Sequence, residues 1–471
     1  MATKPVHPRA DGEGTLGTAV RRWLTLYLSG DLSDGTNEKS VQEIVDHIDA
    51  ANPHSGHVDK SGDSMTGSLR LDGTKLCLDD DSDQDTYIEK DSNGNIILCK
   101  EGTYIFAFET PYGDVQSDGD RYIYVDDSSN ADDTNMGTSS DPLATIQAAW
   151  SSCPALVTQP IKVSIGAGTF SEALELSGKQ MASSDAEIII EGTLTEEESE
   201  VTADIFSTTT IGKVGSGWTP SDYVGMLVKI TSGTGAGQEK IIVDNTADTL
   251  SVAYLWETTP DGTSKFAIYD FETIISPGAG NKGVLLTYQS KVTLKWLKFD
   301  AGAYGVYSQS ASAGNTIFSC NFDSQTNMGV WVGEGSTVTI QGCNVDATGR
   351  GIVFDASFGW IKDCWVHDCG STAPTAFAAG IHSVAGVFHM QRNYVNSNNN
   401  KGVYIQRNGV VSFWKAGNAN FIADHDSAGD YGVYADMGGV GMDASQQVFG
   451  SSPDHNDEDY GADATSFAYV S

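Results

Sequence analysis

The sequence predicts an all-β protein whose largest part is a parallel β-solenoid, and three observations lead to this prediction. A glycine followed by valine or isoleucine recurs from Gly283 to Gly432 at intervals of 22 to 30 residues. Each interval holds about three short apolar segments separated by glycine or asparagine, as expected for three strands per coil. No helical periodicity of apolar residues runs through this stretch. At a strand spacing of about 4.8 Å, seven such coils form a rod roughly 30 Å long.

Changes in composition and pattern divide the chain into six segments. Ser40 and Glu43 form a helix-capping box, and the apolar face behind them ends before Pro53, so a short helix is predicted near the N-terminus. The predicted segments are an N-terminal module with this helix (1–56), a small β module (57–120), the entry and cap of the solenoid (121–203), an inserted small β domain (204–272), the solenoid rod (273–450) and a C-terminal tail (451–471).

The segment before the insertion is predicted to start the rod. Residues 122–125, 161–165 and 187–191 have the composition of strands. Between the first two, Asp141 is the predicted N-cap of a short helix and Pro142 its first residue. This helix is expected to cover the open end of the solenoid, whose strand edges would otherwise be unpaired. Its apolar stripe consists of Ile146, Ala149, Trp150 and Cys153.

The inserted domain has alternating strands and two predicted hairpin turns, at 232–237 and 245–248. The glycines between 233 and 237 invite comparison with a phosphate-binding loop. No Lys-Ser or Lys-Thr pair follows them and no helix is predicted there, so a tight hairpin is the preferred interpretation. The sequence leaves open whether this domain binds a ligand or only contacts the rod.

The charge of the chain limits its partners. There are 27 basic and 63 acidic residues, which gives a formal charge of −36. Such a surface repels phosphate backbones and anionic lipid, which excludes a general nucleic-acid binder and argues against membrane docking. It also favours a target that is not strongly anionic, unless cations bridge the two. No apolar run reaches the ~18–20 residues of a membrane span.

Two further columns of small side chains are predicted along the rod. The seven cysteines include no metal-binding C-x-x-C pair. Three of them recur at one position of the coil and are interpreted as buried apolar fillers: Cys320, Cys343 and Cys364. Three asparagines are predicted to form a ladder at a corner, where this residue tolerates left-handed backbone: Asn321, Asn344 and Asn393.

Three stretches resemble known families. The segment YIYVDDSSNADDTNMGTSSDPLATIQAAW (122–150), followed by IKVSIGAGTFSEALELSG (161–178), resembles the entry of right-handed parallel β-helix proteins of the pectin-lyase type, as found in phage tailspikes. RADGEGTLGTAVRRWLTLYLSGDLSDG (9–35) and HVDKSGDSMTGSLRLDG (57–73) are similar to modules of phage tail fibres. The resemblance implies a right-handed β-helix, N-terminal modules that attach to the tail or baseplate, and assembly as a homotrimer.

One strand of each coil predicts a column of outward side chains. If the valine or isoleucine after each repeated glycine points inward, strand alternation directs the next residue outward. This column consists of Leu285, Tyr307, Trp331, Val353, His382, Tyr404 and Tyr434. Its five rings predict either a glycan-binding groove, because aromatic faces stack on sugars, or the interface of the implied trimer. Scattered surface aromatics are the third interpretation.

Polysaccharide cleavage, which tailspikes often perform, needs two carboxylates at a defined separation. Asp323, Asp346 and Asp368 recur near one corner and would lie roughly 5 Å apart if stacked. His382 and Arg392 fall within about one coil of Asp368. The catalytic candidates are therefore Asp346, Asp368, His382 and Arg392. A solvated acidic corner and a cation site are the alternatives.

Metal sites have two sets of candidates. His54 and His57 precede the second fibre module, and three chains would bring six imidazoles together as a metal clip. Acidic clusters at 79–85, 126–133, 424–430 and 454–459 lack the full spacing of a calcium loop. Solvated turns are therefore the default interpretation and structural calcium the alternative. No other cofactor is expected.

The leading hypothesis is a subunit of a phage tail fibre or tailspike that attaches the virion to host surface glycan. Its expected partners are further copies of itself, tail or baseplate proteins at the N-terminus, and host surface polysaccharide. Nucleic acid and membrane insertion are not expected, and the expected location is the virion tail. A polysaccharide depolymerase (hydrolase or lyase) on the same β-helix is one alternative. A purely structural baseplate or decoration protein is the other.

Overall fold

The computed structural model describes the chain continuously over most of the rod and only as short strands elsewhere. The described residues are 31–33, 38–40, 76–77, 86–90, 96–100, 103–108, 114–115, 121–347, 349–371, 378–413, 420–423, 431–437, 440–442, 448–449, 458–462 and 467–469. Side chains are described in 121–347, 349–371, 378–413, 420–422 and 432–437. The chain forms two units, Met1–Thr110 and Pro111–Ser471.

The first unit contains two small antiparallel sheets. One pairs Asp31–Ser33 with Glu38–Ser40. The other has four strands in sequence order: Leu76–Cys77, Thr86–Lys90, Ile96–Lys100 and Thr103–Phe108. The helix predicted after Ser40 lies outside the described residues.

In the second unit, three sheets named A, B and C wind into a β-helix, and each full coil adds one strand to each sheet. Sheet A consists of Asp114–Val115, Arg121–Val125, Ile161–Ile165, Ile188–Glu191, Val292–Lys295, Ala313–Phe318, Thr337–Gln341, Phe358–Lys362, Val387–Gln391, Val410–Phe413, Val440–Met442 and Phe467–Tyr469. Sheet B consists of Gly168–Phe170, Thr273–Ile275, Lys298–Asp300, Asn321–Asp323, Asn344–Asp346, Trp365–His367, Tyr394–Asn396, Phe421–Ala423 and Val448–Phe449. Sheet C consists of Leu174–Leu176, Lys282–Thr287, Tyr304–Gln309, Met328–Gly333, Arg350–Asp355, Ile381–Val384, Lys401–Gln406, Tyr431–Ala435 and Glu458–Ala462.

The rod has nine strands in sheet C, two more than the seven coils counted in the sequence. The extra strands, Leu174–Leu176 and Glu458–Ala462, lack the Gly-Val or Gly-Ile pair that marks the others. Phe467–Tyr469 continues sheet A beyond them. The segment 451–471, expected to be a tail, therefore contributes strands to the β-helix.

The repeated glycines are explained by close packing inside each coil. The residue after each of them is buried, as predicted: Val284, Val306, Val330, Ile352, Ile381, Val403 and Val433. A Cβ atom on Gly305 would lie 2.4 Å from the Phe322 ring and 2.7 Å from the carbonyl oxygen of Gly329. Any larger residue would therefore push two coils apart.

Aromatic rings and thiols fill the interior of the rod. The rings of Phe299 and Phe322 stack with centroids 4.8 Å apart, and those of Phe354 and Phe388 with centroids 4.6 Å apart. The predicted column of buried thiols is confirmed, and burial raises the pKa values of two of its members. The column consists of Cys320, Cys343 and Cys364.

The asparagine ladder is only partly as predicted. Asn321 pairs with Asn344, but Asn344 then pairs with Trp365 and not with an asparagine. Asn393 is buried one position earlier in its coil, where its Oδ1 accepts from the backbone N–H of Cys364. Its own Nδ2 donates to Asn420. Asn393 therefore continues the line of the cysteines and does not belong to the corner ladder.

The predicted short helix is present but begins later than expected. It spans Ile146–Ser152, and its N-cap is Thr145, whose side chain accepts from the N–H of Ala148. Asp141 instead accepts from the N–H of Met136. The predicted stripe, Ile146 to Cys153, is buried in the core of the first coils. Within the described part of the chain, no helix is long and apolar enough to cross a membrane.

The inserted domain forms a seven-stranded antiparallel sheet between Ile188–Glu191 and Thr273–Ile275. In spatial order its strands are Leu194–Thr202, Lys265–Phe271, Leu227–Ser232, Glu239–Asn245, Thr249–Val252, Thr210–Gly212 and Ile205–Phe206. The insertion thus starts at Leu194, ten residues before the expected 204, because its first strand pairs with its last. Both predicted hairpins are present. A separate parallel pair, Leu156–Val157 with Gln180–Met181, lies beside the first coil.

The turns between sheets place non-glycine residues in left-handed backbone. At the A–B edge, where the chain passes from sheet A to sheet B, φ is positive at Trp296, Ser319, Gly342, Asp363 and Arg392. At the C–A edge, where it passes from sheet C to sheet A, φ is positive at Tyr288, Lys291, Ser310, Ala311, Gly314, Glu334, Gly335, Ala356, Ala385, Arg407, Asn408 and Met437. This conformation costs about 1–3 kcal/mol for a residue with a Cβ. Side chains kept at such positions are candidates for contacts that glycine cannot make.

Candidate functional site

The outward column of sheet C is in register, as predicted. Neighbouring strands pair its members one to one, without a shift, over seven coils. In order these are Leu285, Tyr307, Trp331, Val353, His382, Tyr404 and Tyr434. The alternation imposed by the buried valine or isoleucine of each coil is what produces this line.

The rings of the column contact one another. Tyr307 stacks on Trp331 with centroids 4.1 Å apart, and His382 stacks on Tyr404 at 4.5 Å. Trp331 is only 9% exposed, and its indole lies so close to Gly333 that a Cβ there would be 2.0 Å from the ring. Ring faces in the middle of the column are therefore not free to stack on sugars. A ligand would meet ring edges, hydroxyl groups and the half-buried end residues.

His382 is a buried ring that does not carry charge. Its Nδ1 lies 3.3 Å from Nη1 of Arg350, which can only donate, so Nδ1 accepts this hydrogen bond. Burial, reinforced by the Arg350 charge, lowers the pKa of His382 to about 3. A histidine with that pKa is not an effective general acid or base near neutral pH. The geometry therefore gives no support to His382 as a catalytic residue.

A second column on the same face carries cations. Lys282, Tyr304, Met328 and Arg350 occupy successive paired positions beside the aromatic column. The Lys282 ammonium lies 4.2 Å from the centroid of the Tyr307 ring. Among the residues with described side chains, neither Lys282 nor Arg350 has an ion-pair partner. This face thus combines tyrosine hydroxyls with two cations that have no carboxylate partner among the described side chains.

Sheet B presents a row of carboxylates on its outer face. Asp300 pairs with Asp323, and Asp323 pairs with Asp346 in the next coil. Asp368 does not continue the row, because Val345 pairs with Val366 and the step between these strands is 21 residues. His367 follows Val366 and takes the next place. Asp368 lies one residue further, in a left-handed turn.

Asp346 and His367 are the two members of this row whose side chains could take part in a reaction. Burial raises the pKa of Asp346, and the nearby Asp368 and Asp323 add to the effect while His367 opposes it. His367 Nδ1 lies 2.6 Å from Asp368 Oδ2, and its Nε2 lies 2.9 Å from Asn344 Oδ1. Asp346 and Asp368, both predicted as catalytic candidates, are therefore brought to the same face.

Arg392 holds the inserted domain on the rod. Its guanidinium donates to both carboxylate oxygens of Asp363, at 2.7 and 2.6 Å, and these bonds raise its pKa. From the inserted domain, Lys240 approaches the same carboxylate at 3.3 Å and Glu257 accepts from Arg392 at 2.9 Å. Lys240 and Asp363 are each 3% exposed. Arg392 is thus part of a buried ion network and does not join the other catalytic candidates.

A second contact of the inserted domain lies further along the A–B edge. Glu239 of that domain accepts from Trp296 Nε1 at 3.2 Å and from the hydroxyl of Ser319. Lys229 of the same domain lies over the Trp296 ring, 3.4 Å from its centroid. Apolar side chains of the inserted domain pack against Trp365 of sheet B: Leu227, Ile241, Ala253 and Phe271.

An aromatic groove between the inserted domain and sheet B was not predicted. Its volume is about 410 Å³. Tyr394 and Phe421 of sheet B form one wall, with ring centroids 5.1 Å apart, and Tyr254 and Leu255 form part of the other. No sequence motif marks the groove because its two walls come from segments that are far apart in the chain.

The predicted catalytic set is therefore divided among separate places. Asp346 lies on sheet B and Asp368 in the turn that follows a sheet B strand, whereas His382 lies on sheet C and Arg392 at the A–B edge. Of the metal candidates, His54, His57 and three of the four acidic clusters lie outside the described side chains. In the remaining cluster, 126–133, Asp133 accepts from the N–H groups of Ala144 and Thr145. Over the described residues, no group of three or more His, Cys, Asp or Glu is arranged to hold a metal ion.

Residues 268–414 match the family model of the right-handed β-helix region. The rod is a right-handed parallel β-helix. The match covers the coils of the carboxylate row and of the A–B edge, and the aromatic column from Leu285 to Tyr404. A comparison with curated protein sequences gave no match.

Solved structures similar to this β-helix include carbohydrate-active enzymes and phage tailspikes. A protein named glycoside hydrolase is 11% identical, with a TM-score of 0.35 and coverage of 68% of this chain and 86% of that one. Pectate lyase Pel9A is 12% identical, with a TM-score of 0.30 and coverage of 73% and 78%. The tailspike gp61 of Pseudomonas phage phi297 is 11% identical, with a TM-score of 0.23 and coverage of 61% and 51%. This chain thus spans about half of that tailspike, and the fold assignment rests on the strand pairing and the family model.

Proposed function

We propose that this chain is a phage tail fibre or tailspike subunit that binds a host surface glycan along the outer face of sheet C. The observation that carries the binding role is the in-register aromatic column flanked by Lys282 and Arg350. The phage setting, the virion tail as location and the tail or baseplate partner rest on the tail-fibre resemblance of 9–35 and 57–73.

The chemistry of this face suits an extended polar polymer. Seven coils at about 4.8 Å give the column a length of roughly 30 Å. The hydroxyls of Tyr307 and Tyr434 and the two cations supply hydrogen-bond donors for sugar oxygens. Because the inner rings are stacked on each other, the platform is rigid before a ligand arrives, which lowers the entropic cost of binding.

The test is binding of the full chain to immobilised bacterial surface polysaccharides. Tyr307→Ala and Tyr434→Ala are expected to weaken binding at least about tenfold while the circular dichroism spectrum stays unchanged. Tyr122→Ala, which alters a half-buried tyrosine on sheet A, is the matched control and should bind normally. If both sheet C variants bind the polysaccharide as tightly as the wild type, the glycan-binding site is not on this face. No binding to any polysaccharide would leave the structural baseplate hypothesis.

Polysaccharide cleavage is the second candidate function. The observation that favours it is the raised pKa of Asp346, beside a second carboxylate in the adjoining coil. Burial raises the pKa of Asp346, which is the direction that a carboxyl group needs if it is to donate a proton to the leaving glycosidic oxygen. Asp323, its partner in the adjoining coil, supplies a second carboxylate that attacks the anomeric carbon or activates water.

Cleavage is tested by incubating the chain with a polysaccharide it binds and measuring released fragments by mass. Asp346→Asn should abolish release and leave binding intact. Saturated ends would indicate hydrolysis and unsaturated ends elimination. Intact polymer after long incubation would eliminate this candidate and leave attachment.

A further inference from the structure

The outer face of sheet C carries more positive than negative charge, although the whole chain has a charge of −36. Over the seven coils from 282 to 436, the charged residues of sheet C are three cations and two carboxylates. The cations are Lys282, Arg350 and Lys401, and the carboxylates are Asp355 and Asp436. At physiological ionic strength, exposed charges more than about 8 Å away are largely screened. A polymer lying on this face therefore meets a weakly positive surface.

The three cations lie on one line along the rod. Lys282 is connected through the paired residues Tyr304 and Met328 to Arg350, so the two cations occupy the same position three coils apart. The same alignment of strands places Lys401 two coils beyond Arg350. At a strand spacing of about 4.8 Å, these intervals are about 14 and 10 Å. The line thus offers a cation at every second or third coil.

Two of these cations contact rings and form no ion pair with a described carboxylate. The Lys282 ammonium lies 4.2 Å from the centroid of the Tyr307 ring. Nη1 of Arg350 lies 3.3 Å from Nδ1 of His382, which is neutral. A tyrosine ring and a neutral imidazole orient a cation but do not neutralise it. The charges of Lys282 and Arg350 therefore remain for an anion.

Unpaired cations are unexpected in a chain with 63 acidic and 27 basic residues. The inserted domain shows the usual outcome, because each of its four lysines forms an ion pair with a carboxylate. These lysines are Lys213, Lys229, Lys240 and Lys265. The half-buried side chains of Lys282 and Arg350 on sheet C differ from them in lacking such a partner among the described residues.

We propose that the glycan bound on the outer face of sheet C is acidic and carries a carboxylate on every second or third sugar. The inference rests on the glycan binding proposed above and names the class of polymer. A pyranose unit of an extended glycan is about as long as one coil is high, so carboxylates at this interval meet the line of cations. The guanidinium of Arg350 can donate two N–H groups to one carboxylate.

The two carboxylates of the face limit how acidic this polymer can be. A glycan with a carboxylate on every sugar would place like charges against Asp355 and Asp436. The charge of −36 on the whole chain acts in the same direction. A sparsely charged polymer avoids both costs and still pairs with Lys282 and Arg350.

The first test uses the unaltered full chain and an array of bacterial surface polysaccharides of known repeat. Each polymer is immobilised in its native form and after carbodiimide-activated reduction of its carboxylates to alcohols. Polymers with one carboxylate per two or three sugars are expected to bind, and reduction should weaken their binding at least about tenfold. Neutral polymers, and polygalacturonate with a carboxylate on every sugar, are expected to bind more weakly.

The outcomes of this test separate the inference from the function on which it rests. Equal binding of native and reduced polymers would overturn the inference and leave glycan binding intact. Tightest binding to polygalacturonate would contradict the proposed spacing of carboxylates. Absence of binding to every polymer would remove the proposed function and this inference together.

The second test locates the pairing on the protein. Lys282→Gln with Arg350→Gln should weaken binding of a native acidic polymer at least about tenfold and leave binding of its reduced form within about twofold. Lys282→Gln alone, which keeps the contact between Arg350 and His382, should show part of the same loss. If the double variant loses affinity equally for both forms, these side chains do not pair with carboxylates and the inference fails.

Lys162→Gln is the matched control. The Lys162 ammonium lies 5.0 Å from the centroid of the Tyr122 ring on sheet A, much as Lys282 lies over Tyr307 on sheet C. Its replacement removes the same charge from another face of the rod and should leave both affinities unchanged. A tenfold loss with Lys162→Gln would mean that the total charge of the chain, and not the line of cations, governs binding, which would overturn the inference.

Discussion

The A–B edge and the outer face of sheet C are built by the same coils but use their side chains differently. At the A–B edge, Trp296, Ser319, Asp363 and Arg392 all bind the inserted domain. On sheet C, the rings of the column stack on one another, and Lys282 and Arg350 beside them lack carboxylate partners among the described side chains. The first surface is used for internal docking and the second is still available to a ligand.

This difference shows why a rich mixture of charged residues is a poor guide to catalysis in this fold. Arg392 is a catalytic candidate in the sequence, yet its charge is neutralised by Asp363 beneath the inserted domain. On the less varied face of sheet C, Lys282 and Arg350 contact rings and have no carboxylate partner among the described side chains. In a solenoid, the partner across the surface decides what a residue does, and that partner can come from anywhere in the chain.

The largest expected effect is a loss of stability at the A–B edge, where the inserted domain binds the rod. Asp363→Ala removes the shared partner of Lys240 and Arg392 and leaves both cations with only Glu257, whose side chain is 43% exposed. Removing one partner from a buried ion network of this kind costs up to about 3–5 kcal/mol. Urea unfolding followed by tryptophan fluorescence would measure this loss, and limited proteolysis should begin within 194–271.

Lys265→Ala is the matched control for that change. Lys265 and Glu200 form an ion pair of the same domain, but both side chains are more than 40% exposed. Surface pairs of this kind contribute little to folding. If Asp363→Ala unfolds at the same urea concentration as Lys265→Ala, the ion network does not hold the inserted domain in place.

The sequence predicts one of the two surfaces better than the other, because one is set by a local pattern and the other by contacts between distant segments. The sheet C column is set by local alternation after a repeated glycine, so Tyr307 and Trp331 could be placed next to each other without a structure. The docking of the inserted domain depends on contacts such as Lys240 with Asp363, which no local rule predicts. The aromatic groove around Tyr254 was missed for the same reason.

Asp368 and Asn393 each lie one position away from the place that the repeat predicts, and the cause in both cases is the length of a coil. Asp346 and Asp368 are separated by 22 residues, the commonest interval of the repeat, but their strands are offset by 21. His367 therefore occupies the place expected for Asp368. A similar shift of one residue moves Asn393 from the corner ladder into the line of the cysteines. Periodicity fixes which strands pair, but the register at each turn depends on the residues that close it.

The next largest expected effect is a pH dependence of the free energy of unfolding that comes from His382 of sheet C. The pKa of His382 is about 3 in the folded chain and about 6.5 when unfolded, so the unfolded state binds more protons between these values. Stability is therefore lost as the pH falls below 6.5, by about 3 kcal/mol at pH 4.5. His382→Phe should lose this part of the pH dependence in urea unfolding at pH 7.0 to 4.5. Parallel curves for the variant and the wild type would show that His382 is not buried as described.

The smallest expected effect concerns the half-buried carboxylate row of sheet B. Burial raises the pKa of Asp346 there, whereas it lowers that of His382 on sheet C. The pKa of Asp346 is raised in the folded chain, so its contribution to stability is present at low pH and lost as the pH rises through that pKa. Asp346→Asn should therefore stabilise the chain at pH 7, by less than about 1 kcal/mol because the group is half exposed and screened. The gain should vanish near pH 3, where Asp346 is protonated. Asp300→Asn, at the end of the same row, is the control for replacing a carboxylate with an amide.

The sign of the Asp346→Asn result also bears on function. A residue that destabilises the fold at neutral pH and is needed for cleavage has the stability–activity trade-off of an active site. If Asp346→Asn gains stability and fragment release stops, sheet B carries an activity beside the binding face. If it gains stability and no fragments are formed by either chain, the row is a solvated surface. A loss of stability at pH 7 would mean that the carboxylate of Asp346 makes favourable contacts in its charged form, contrary to the origin assigned to its raised pKa.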